Sequence, residues 1–172
     1  MSETKHDFKD GRGEVPAHQH SNGGGWVEDT ADVNHLVYVG PEATVIGSAT
    51  VFGNVRIEDN ARVMGKATIA DNATISGNVV ISNQASVYNN ARVTDNAQVS
   101  GSARISGNAQ IFGKARVFDK ADVYENAHIS DSAKVYGHAK VSGNVRINGN
   151  SQISGEARLF GNMRVNNMNM KD

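Results

Sequence analysis

Residues 103–114 read ARISGNAQIFGK, a single six-residue pattern written twice. Each hexad opens on a small or aliphatic residue and places Val, Ile or Leu two positions later. The pattern runs through 23 consecutive hexads from Ala31 without an insertion or a deletion, and every sixth residue from Val33 to Val165 is Val, Ile or Leu. Self-similarity of this length at a fixed short period indicates a repeat architecture.

The alternation within a hexad indicates a short strand followed by a corner. In residues 109–114, Ala109 and Ile111 share one side of an extended chain, and Gln110 and Phe112 share the other. Gly, Asn and Asp recur at the last two positions, where they accept left-handed backbone conformations at low cost. Four extended residues span only about 13 Å. Because such strands are too short for a stable hairpin meander, we predict that they coil around a common axis and bury one side of every strand.

The pattern V-x-G-N-A-x, which residues 105–110 follow with Ile in the first place, resembles the hexapeptide-repeat, left-handed parallel β-helix family. That resemblance implies three hexads per triangular coil of 18 residues. The expected fold is therefore all-β, a left-handed parallel β-helix solenoid with a short N-terminal cap, and its length is about 35 Å at about 4.8 Å per coil. We expect a head or cap at residues 1–30, the β-helix at 31–166 and a C-terminal tail at 167–172.

The head breaks the period and contains the only tryptophan, Trp26. A solenoid exposes the apolar end of its first coil, so we expect Phe8, Val15, Trp26 and Val27 to cover that end. Residues 18–27 (HQHSNGGGWV) also resemble the opening segment of a phage and bacterial branch of hexapeptide-repeat proteins that is often labelled as transferases by fold alone. This second resemblance implies a phage protein.

Composition excludes several function classes. The chain has no cysteine, which excludes a disulfide framework or a thiolate metal site. The first residues lack an apolar signal region, and 17 Lys and Arg balance 18 Asp and Glu, which argues against a general nucleic-acid binder. We expect a soluble cytoplasmic protein, in the host cytoplasm if phage-encoded, with no membrane partner and no cofactor.

Catalytic chemistry has weak support in the sequence. Many members of the hexapeptide-repeat family are acyltransferases that use a histidine base beside inserted loops or a C-terminal helix. Here the repeats carry no insertion, and we expect His128, in an outward strand position, and His138, in a corner, to be solvated substitutions. We therefore assign no catalytic residue, although a hexapeptide acyltransferase remains an alternative.

No metal site is assigned either. The γ-class carbonic anhydrases, which share the expected fold, bind zinc through three histidines, and that pattern does not fit His128 and His138. His18 and His20 could join His6 or His35 as nitrogen ligands, but two histidines in a glycine-rich segment are weak evidence.

Two outward columns carry most of the chemistry. Residues that are 18 positions apart stack on successive coils. We call the first such column the arginine column, and it contains Tyr38, Arg56, Thr74, Arg92, Gln110, His128, Arg146 and Arg164. The second, the aromatic column, contains Phe52, Ala70, Tyr88, Ser106, Tyr124, Ser142 and Phe160, so that aromatic side chains fall on every second coil. Arginines offer forked donors for anions, and exposed aromatic ladders indicate burial against a partner. The partner that the family resemblance implies is the chain itself, in a homotrimer.

From these columns we predict a non-catalytic homotrimeric binding scaffold, a phage protein that sequesters small anionic or nucleotide-like molecules between subunits. Arg104 with Tyr88 and Tyr124 is the expected ligand site, with Arg92 and Arg146 as second choices across an edge. Guanidinium forks would bind phosphate, and aromatic faces would stack on a base. Besides the acyltransferase, a structural virion spike or fibre segment is a further alternative.

Overall fold

The protein is a parallel β-solenoid in a computed structural model that describes residues 4–171. Its 27 strands form three sheets, and no helix occurs in the described residues. Strands pair with those one coil away, as Thr68 does with Thr50 and with Ser86. This 18-residue register confirms the all-β parallel β-helix with three hexads per coil.

The three sheets are the three faces of the solenoid. We call the first the cap face, with strands in the order Lys5–Asp7, Glu14–Gln19, Trp26–Glu28, Thr44–Val45, Arg62–Val63, Val80–Ile81, Gln98–Val99, Arg116–Val117, Lys134–Val135, Gln152–Ser154 and Asn169–Lys171. The aromatic face contains Asp32–Val33, Thr50–Val51, Thr68–Ile69, Ser86–Val87, Arg104–Ile105, Asp122–Val123, Lys140–Val141 and Arg158–Leu159. The arginine face contains Tyr38–Val39, Arg56–Ile57, Thr74–Ile75, Arg92–Val93, Gln110–Ile111, His128–Ile129, Arg146–Asn148 and Arg164–Asn166.

The core is a stack of inward side chains from all three faces. Ile69, Val87 and Ile105 follow one another in register on the aromatic face and are each 0 % exposed. Most of the residues that open the hexads are buried beside them, for example Ala103 and Ala109. The inward column of the aromatic face is therefore buried from Val51 to Leu159, as the every-sixth-residue pattern predicts, while Val33 at its N-terminal end is only partly buried.

The corners are stabilised by side chains that bridge adjacent coils. At the corner between the aromatic and arginine faces, side-chain amides of asparagines on successive coils form a continuous ladder of hydrogen bonds. The donor–acceptor distances are 2.9–3.3 Å, and the ladder contains Asn54, Asn72, Asn90, Asn108, Asn126, Asn144 and Asn162. Corner carboxylates also accept backbone N–H groups of the next coil, as Asp59 does from Gly77 at 2.8 Å. These bonds satisfy polar groups at positions where the chain turns.

The head packs differently from the sequence expectation. Lys5–Asp7 and Glu14–Gln19 form an antiparallel hairpin that extends the cap face. Phe8 is buried in a separate cluster that contains Val15, Trp26 and the outward residue Ile46, whereas Val27 enters the main core. Most of the predicted cap residues therefore lie against the outer side of the cap face rather than over the open end of the first coil.

At the other end, Asn169–Lys171 is a strand that pairs with Gln152–Ser154, within the segment predicted as a tail. Gln152 pairs with Asn169, a step of 17 residues, so the period shortens by one residue there. No helix in the described part of the chain is long and apolar enough to cross a membrane.

Candidate functional site

The structure brings Arg104 and Tyr88 together on the aromatic face. Nη2 of Arg104 donates a hydrogen bond of 2.9 Å to the hydroxyl oxygen of Tyr88, and the guanidinium carbon lies 5.9 Å from the centre of the ring. Nε of Arg104 is 3.9 Å from a carboxylate oxygen of Asp122. The hydrogen bond to Tyr88, assisted by the charge of Asp122, raises the pKa of Arg104, so the guanidinium is charged throughout the physiological range.

Beside this pair is an open hollow that we call the N-terminal hollow. It has a volume of about 310 Å³ and is lined by Phe52, Thr68, Ala70, Asp71, Ser86, Tyr88 and Arg104. Phe52 and Tyr88 are two coils apart and stand about 9.6 Å from each other along the face. Ala70, on the coil between them, is only 6 % exposed and forms the floor. The hollow is therefore wide enough to admit a flat ring between two aromatic walls, with a cation at its rim.

Tyr124 does not line this hollow; it lines a second one. The C-terminal hollow has a volume of about 360 Å³ and is lined by Tyr124, Lys140, Ser142, Arg158, Leu159 and Phe160. It repeats the same plan, since aromatic residues two coils apart flank the small residue Ser142. The expected three-residue site is thus divided, with Arg104 and Tyr88 at one hollow and Tyr124 with Lys140 and Arg158 at the other.

Arg92 and Arg146 lie on the arginine face and line neither hollow. They are exposed in the arginine column, three coils apart, which is about 14 Å. His128 lies beside Arg146 in that column. Partial burial, together with the charge of Arg146, lowers the pKa of His128, so this imidazole is largely neutral at neutral pH. A neutral imidazole is the form that a general base needs, but its neighbours in the arginine column are Gln110 and Arg146, neither of which is a carboxylate that would orient the ring.

The histidines of the head have structural partners. His6 stacks on Trp26 with ring centres 4.2 Å apart, and Nδ1 of His18 is 2.7 Å from a carboxylate oxygen of Asp29. His20 is buried and bonded to the backbone of Asn22. Within residues 4–171, no group of three or more His, Cys, Asp or Glu side chains could hold a metal ion.

The other faces also have arginines beside aromatic rings, but their hollows have a different lining. The hollow beside Tyr38, of about 360 Å³, is lined by the carboxylates of Glu42, Glu58 and Asp59 and by no second aromatic ring. Arg116 lies 5.6 Å from the ring centre of Phe118, which stacks on Tyr136 at 4.8 Å. Arg56 lies 4.6 Å from the ring centre of Tyr38 and also binds Glu58. An arginine beside an aromatic ring is therefore not sufficient to form the candidate ligand site. The aromatic face differs from the other two because a small residue lies between two aromatic side chains of one column.

Sequence reasoning named the aromatic column but missed the two hollows and their other lining residues. Phe52, Ala70 and Asp122 were not assigned to the site, although the alternation of large and small residues every 36 positions was visible. That alternation is the signal that predicts hollows between the rings.

A family model described as the YdcK beta solenoid repeat matches residues 85–101 and 139–155, each about one coil long. The first match contains Tyr88, and the second contains Ser142 of the C-terminal hollow. Neither a curated protein nor a solved structure matches the chain significantly. Together with the stacked coils, the repeat match identifies this chain as a parallel β-helix protein of the β-solenoid kind.

Proposed function

We propose that this protein is a non-catalytic scaffold that binds small phosphate-bearing, nucleotide-like molecules on its aromatic face. The observation that carries the proposal is the Arg104–Tyr88 pair at the rim of the N-terminal hollow. A guanidinium has five N–H donors, and Tyr88 engages one of them, so other donors can reach a phosphate. The space between Phe52 and Tyr88 would accept a base by stacking.

The hollow supports binding rather than turnover. It is open to solvent, and the Arg104 side chain is 62 % exposed. General acid–base catalysis requires a titratable group near the reacting atom, with a pKa close to the working pH. The titratable groups that line this hollow are Arg104, Tyr88 and Asp71. Asp71 accepts two hydrogen bonds from Asn89 and so stabilises the corner.

Family membership and source are part of the same proposal. We infer a left-handed hexapeptide-repeat protein of the phage and bacterial branch, acting in the host cytoplasm. The coils of 18 residues support the family, and residues 18–27, which join the second and third strands of the cap face, support the branch. The ligand site would lie between subunits, because Phe52 and Phe160 are 46 % and 70 % exposed on the same face. The homotrimer expected from the resemblance remains a prediction that a particle mass would test.

Calorimetric titration with mono-, di- and cyclic nucleotides tests the ligand proposal. We expect saturable binding without turnover, weakened about tenfold by Arg104→Ala, which corresponds to about 1.4 kcal/mol. Arg116→Ala is the matched control, because Arg116 also lies beside an aromatic ring but borders no hollow of the aromatic face. Binding that survives the combined loss of Arg104, Arg92 and Arg146, or no binding across the panel, would contradict the proposal and favour a purely structural role.

A further inference from the structure

The aromatic face has a repeating relief of projecting and recessed side chains. We number its eight coils from the strand Asp32–Val33 to the strand Arg158–Leu159. On the first coil, one coil before Phe52, Asn34 occupies the position that extends the aromatic column, and its N–H donates a hydrogen bond to the carbonyl oxygen of Val51 on the second coil. Rings project from coils two, four, six and eight, as Phe52, Tyr88, Tyr124 and Phe160. Small side chains lie between them, as Ala70, Ser106 and Ser142.

We propose that this face pairs with the same face of a second copy of the chain, with the two solenoid axes antiparallel. The two-fold axis would run along the strand direction, midway between coils four and five. In a face-to-face pair of this kind, each outward column lies opposite the same column of the second copy, which runs in the reverse direction. Coil n of one copy therefore faces coil 9 − n of the other. The inference goes beyond the proposed function and does not rest on it, because it predicts a pair in place of the homotrimer expected from the resemblance, and rings of the second copy would fill the two hollows assigned to the ligand.

Three of the four rings then meet a small residue. Phe52 faces Ser142 of the second copy and Tyr88 faces Ser106, while Tyr124 faces Ala70. The N-terminal and C-terminal hollows, of about 310 Å³ and about 360 Å³, receive the rings of Tyr124 and Phe52 from the second copy. Phe160 falls opposite Asn34, the remaining position of the column.

The neighbouring outward column has complementary charges in the same register. It contains, from the first coil to the eighth, Asp32, Thr50, Thr68, Ser86, Arg104, Asp122, Lys140 and Arg158. Asp32 faces Arg158 of the second copy, and the symmetry forms this ion pair twice. Arg104, Asp122 and Lys140 face Ser86, Thr68 and Thr50, so no charge meets a charge of its own sign.

Other registers fit less well. If the axis is moved to coil five, Tyr88 faces Tyr124, Phe52 faces Phe160 and Arg104 faces itself. If it is moved to coil four, Tyr88 faces itself and Phe52 faces Tyr124. A register in which coil n meets coil 11 − n keeps the rings opposite small residues, but it overlaps only six of the eight coils.

The area is sufficient for a specific but moderate contact. A face about 13 Å wide and about 38 Å long covers about 500 Å² per copy, and so about 1,000 Å² in the pair. This value treats the face as flat and leaves out the additional area of the projecting side chains. Specific interfaces begin near this size, so we expect association at micromolar concentrations.

Chemical cross-linking tests the register directly. The native chain contains no cysteine, so the double variant Asp32→Cys with Arg158→Cys has two thiols, about 34 Å apart within one chain. Paired sheets lie about 10 Å apart, and a short bismaleimide spans the gap between facing thiols. We expect a covalent dimer from the double variant and none from either single variant, because neither position faces itself. A covalent dimer from a single variant, or none from the double variant, would overturn the proposed register.

Sedimentation and light scattering test the pairing independently. We expect a mass of two chains for the wild-type protein, and about tenfold weaker association for Ser106→Arg, because the long side chain fills the space that the ring of Tyr88 from the second copy needs. Ser130→Arg is the matched control, because Ser130 occupies the equivalent outward position on the arginine face. A monomeric mass, a mass of three chains, or equal effects of the two variants would overturn the pairing. Nucleotide titration is a separate measurement, so either proposal can fail while the other holds. Both cannot hold at once in the N-terminal hollow, because the ring of Tyr124 from the second copy would occupy the space of the bound base.

Discussion

At the scale of single residues, the carboxylate of Glu28 makes the most consequential polar contacts, because it joins the hairpin of the head to the first coils of the solenoid. Arg12 donates two hydrogen bonds, of 2.8 and 2.6 Å, to the carboxylate of Glu28. The N–H of Gly47 donates a third, of 2.8 Å, to the same carboxylate. Glu28 is only 5 % exposed, and most of its acceptor capacity is satisfied from two separate segments. The bonds from Arg12, opposed by burial and helped by Gly47, keep the pKa of Glu28 below its ordinary value of 4.5.

The first stability prediction concerns this pair. A carboxyl group whose pKa is lowered on folding adds stability above its unfolded pKa, and that stability is lost as the pH falls through 4.5 towards the folded value. We expect Arg12→Ala to cost about 2 kcal/mol at neutral pH, since it removes a charge-assisted double hydrogen bond from a buried partner. We also expect the variant to lose part of the pH dependence below 4.5, measured by denaturant unfolding across pH.

Lys9→Ala is the control for that prediction. Lys9 binds Asp7 at a similar distance, 2.7 Å, but its side chain is 81 % exposed. An exposed pair contributes little, so this variant should unfold as the wild-type protein does. Equal losses from the two variants would mean that the head is not anchored through Glu28.

At the scale of the elements, the corner is the part of the repeat that the sequence predicts least completely. Gly and Asp were expected to accept left-handed backbone there, and Gly77 and Asp95 do so with φ of 86° and 63°. The sequence did not predict how closely adjacent corners approach. A Cβ atom on Gly77 would lie 2.5 Å from the backbone oxygen of Asp95, one coil further on. That requirement arises from the stacking of coils and has no local sequence signal.

A comparison of two glycines separates backbone conformation from stacking. Gly161 has a similar φ of 76°, but a Cβ atom there would meet nothing within 4 Å. We expect Gly161→Ala to cost about 1 kcal/mol, the usual penalty of a left-handed conformation for an L-residue. Gly77→Ala should cost about 2 kcal/mol more, because backbone atoms of the next coil must move. Thermal unfolding of both variants measures the difference, and equal costs would mean that the corners are not in close contact.

At the scale of the whole molecule, the fold could be predicted almost completely and the site only in part. The hexad places Val, Ile or Leu at every sixth residue, and this periodicity predicts the buried core, while the family resemblance predicts the coil of 18 residues and so the strand register. The site depends on side-chain choices that periodicity leaves open. Arg104 has aromatic neighbours on the coils before and after its own, and it bonds Tyr88 rather than Tyr124. The sequence also did not predict how the head packs. Its hairpin lies on Ile46, an outward residue that the alternation predicts to face solvent.

The last prediction follows from the one-dimensional contact pattern of the solenoid. Ile111 is 0 % exposed and is stacked between Val93 and Ile129, whereas Gln110, the preceding residue, points outward and is exposed. Ile111→Asp buries a charge without a partner and should lower the free energy of unfolding by several kcal/mol, about 3 or more. Because each coil contacts only its neighbours, the loss of amide hydrogen-exchange protection should be greatest around Val93 and Ile129 and decline towards both ends.

Gln110→Asp is the matched variant for that experiment, since it introduces the same carboxylate one position earlier. Its side chain would lie in the arginine column between Arg92 and His128, where a negative charge is favourable. We expect unchanged stability and unchanged exchange for Gln110→Asp. If both variants lost stability equally, the inward and outward sides of the strand would be assigned wrongly. If protection fell evenly along the whole chain in Ile111→Asp, the coils would unfold as one cooperative unit rather than through nearest-neighbour contacts.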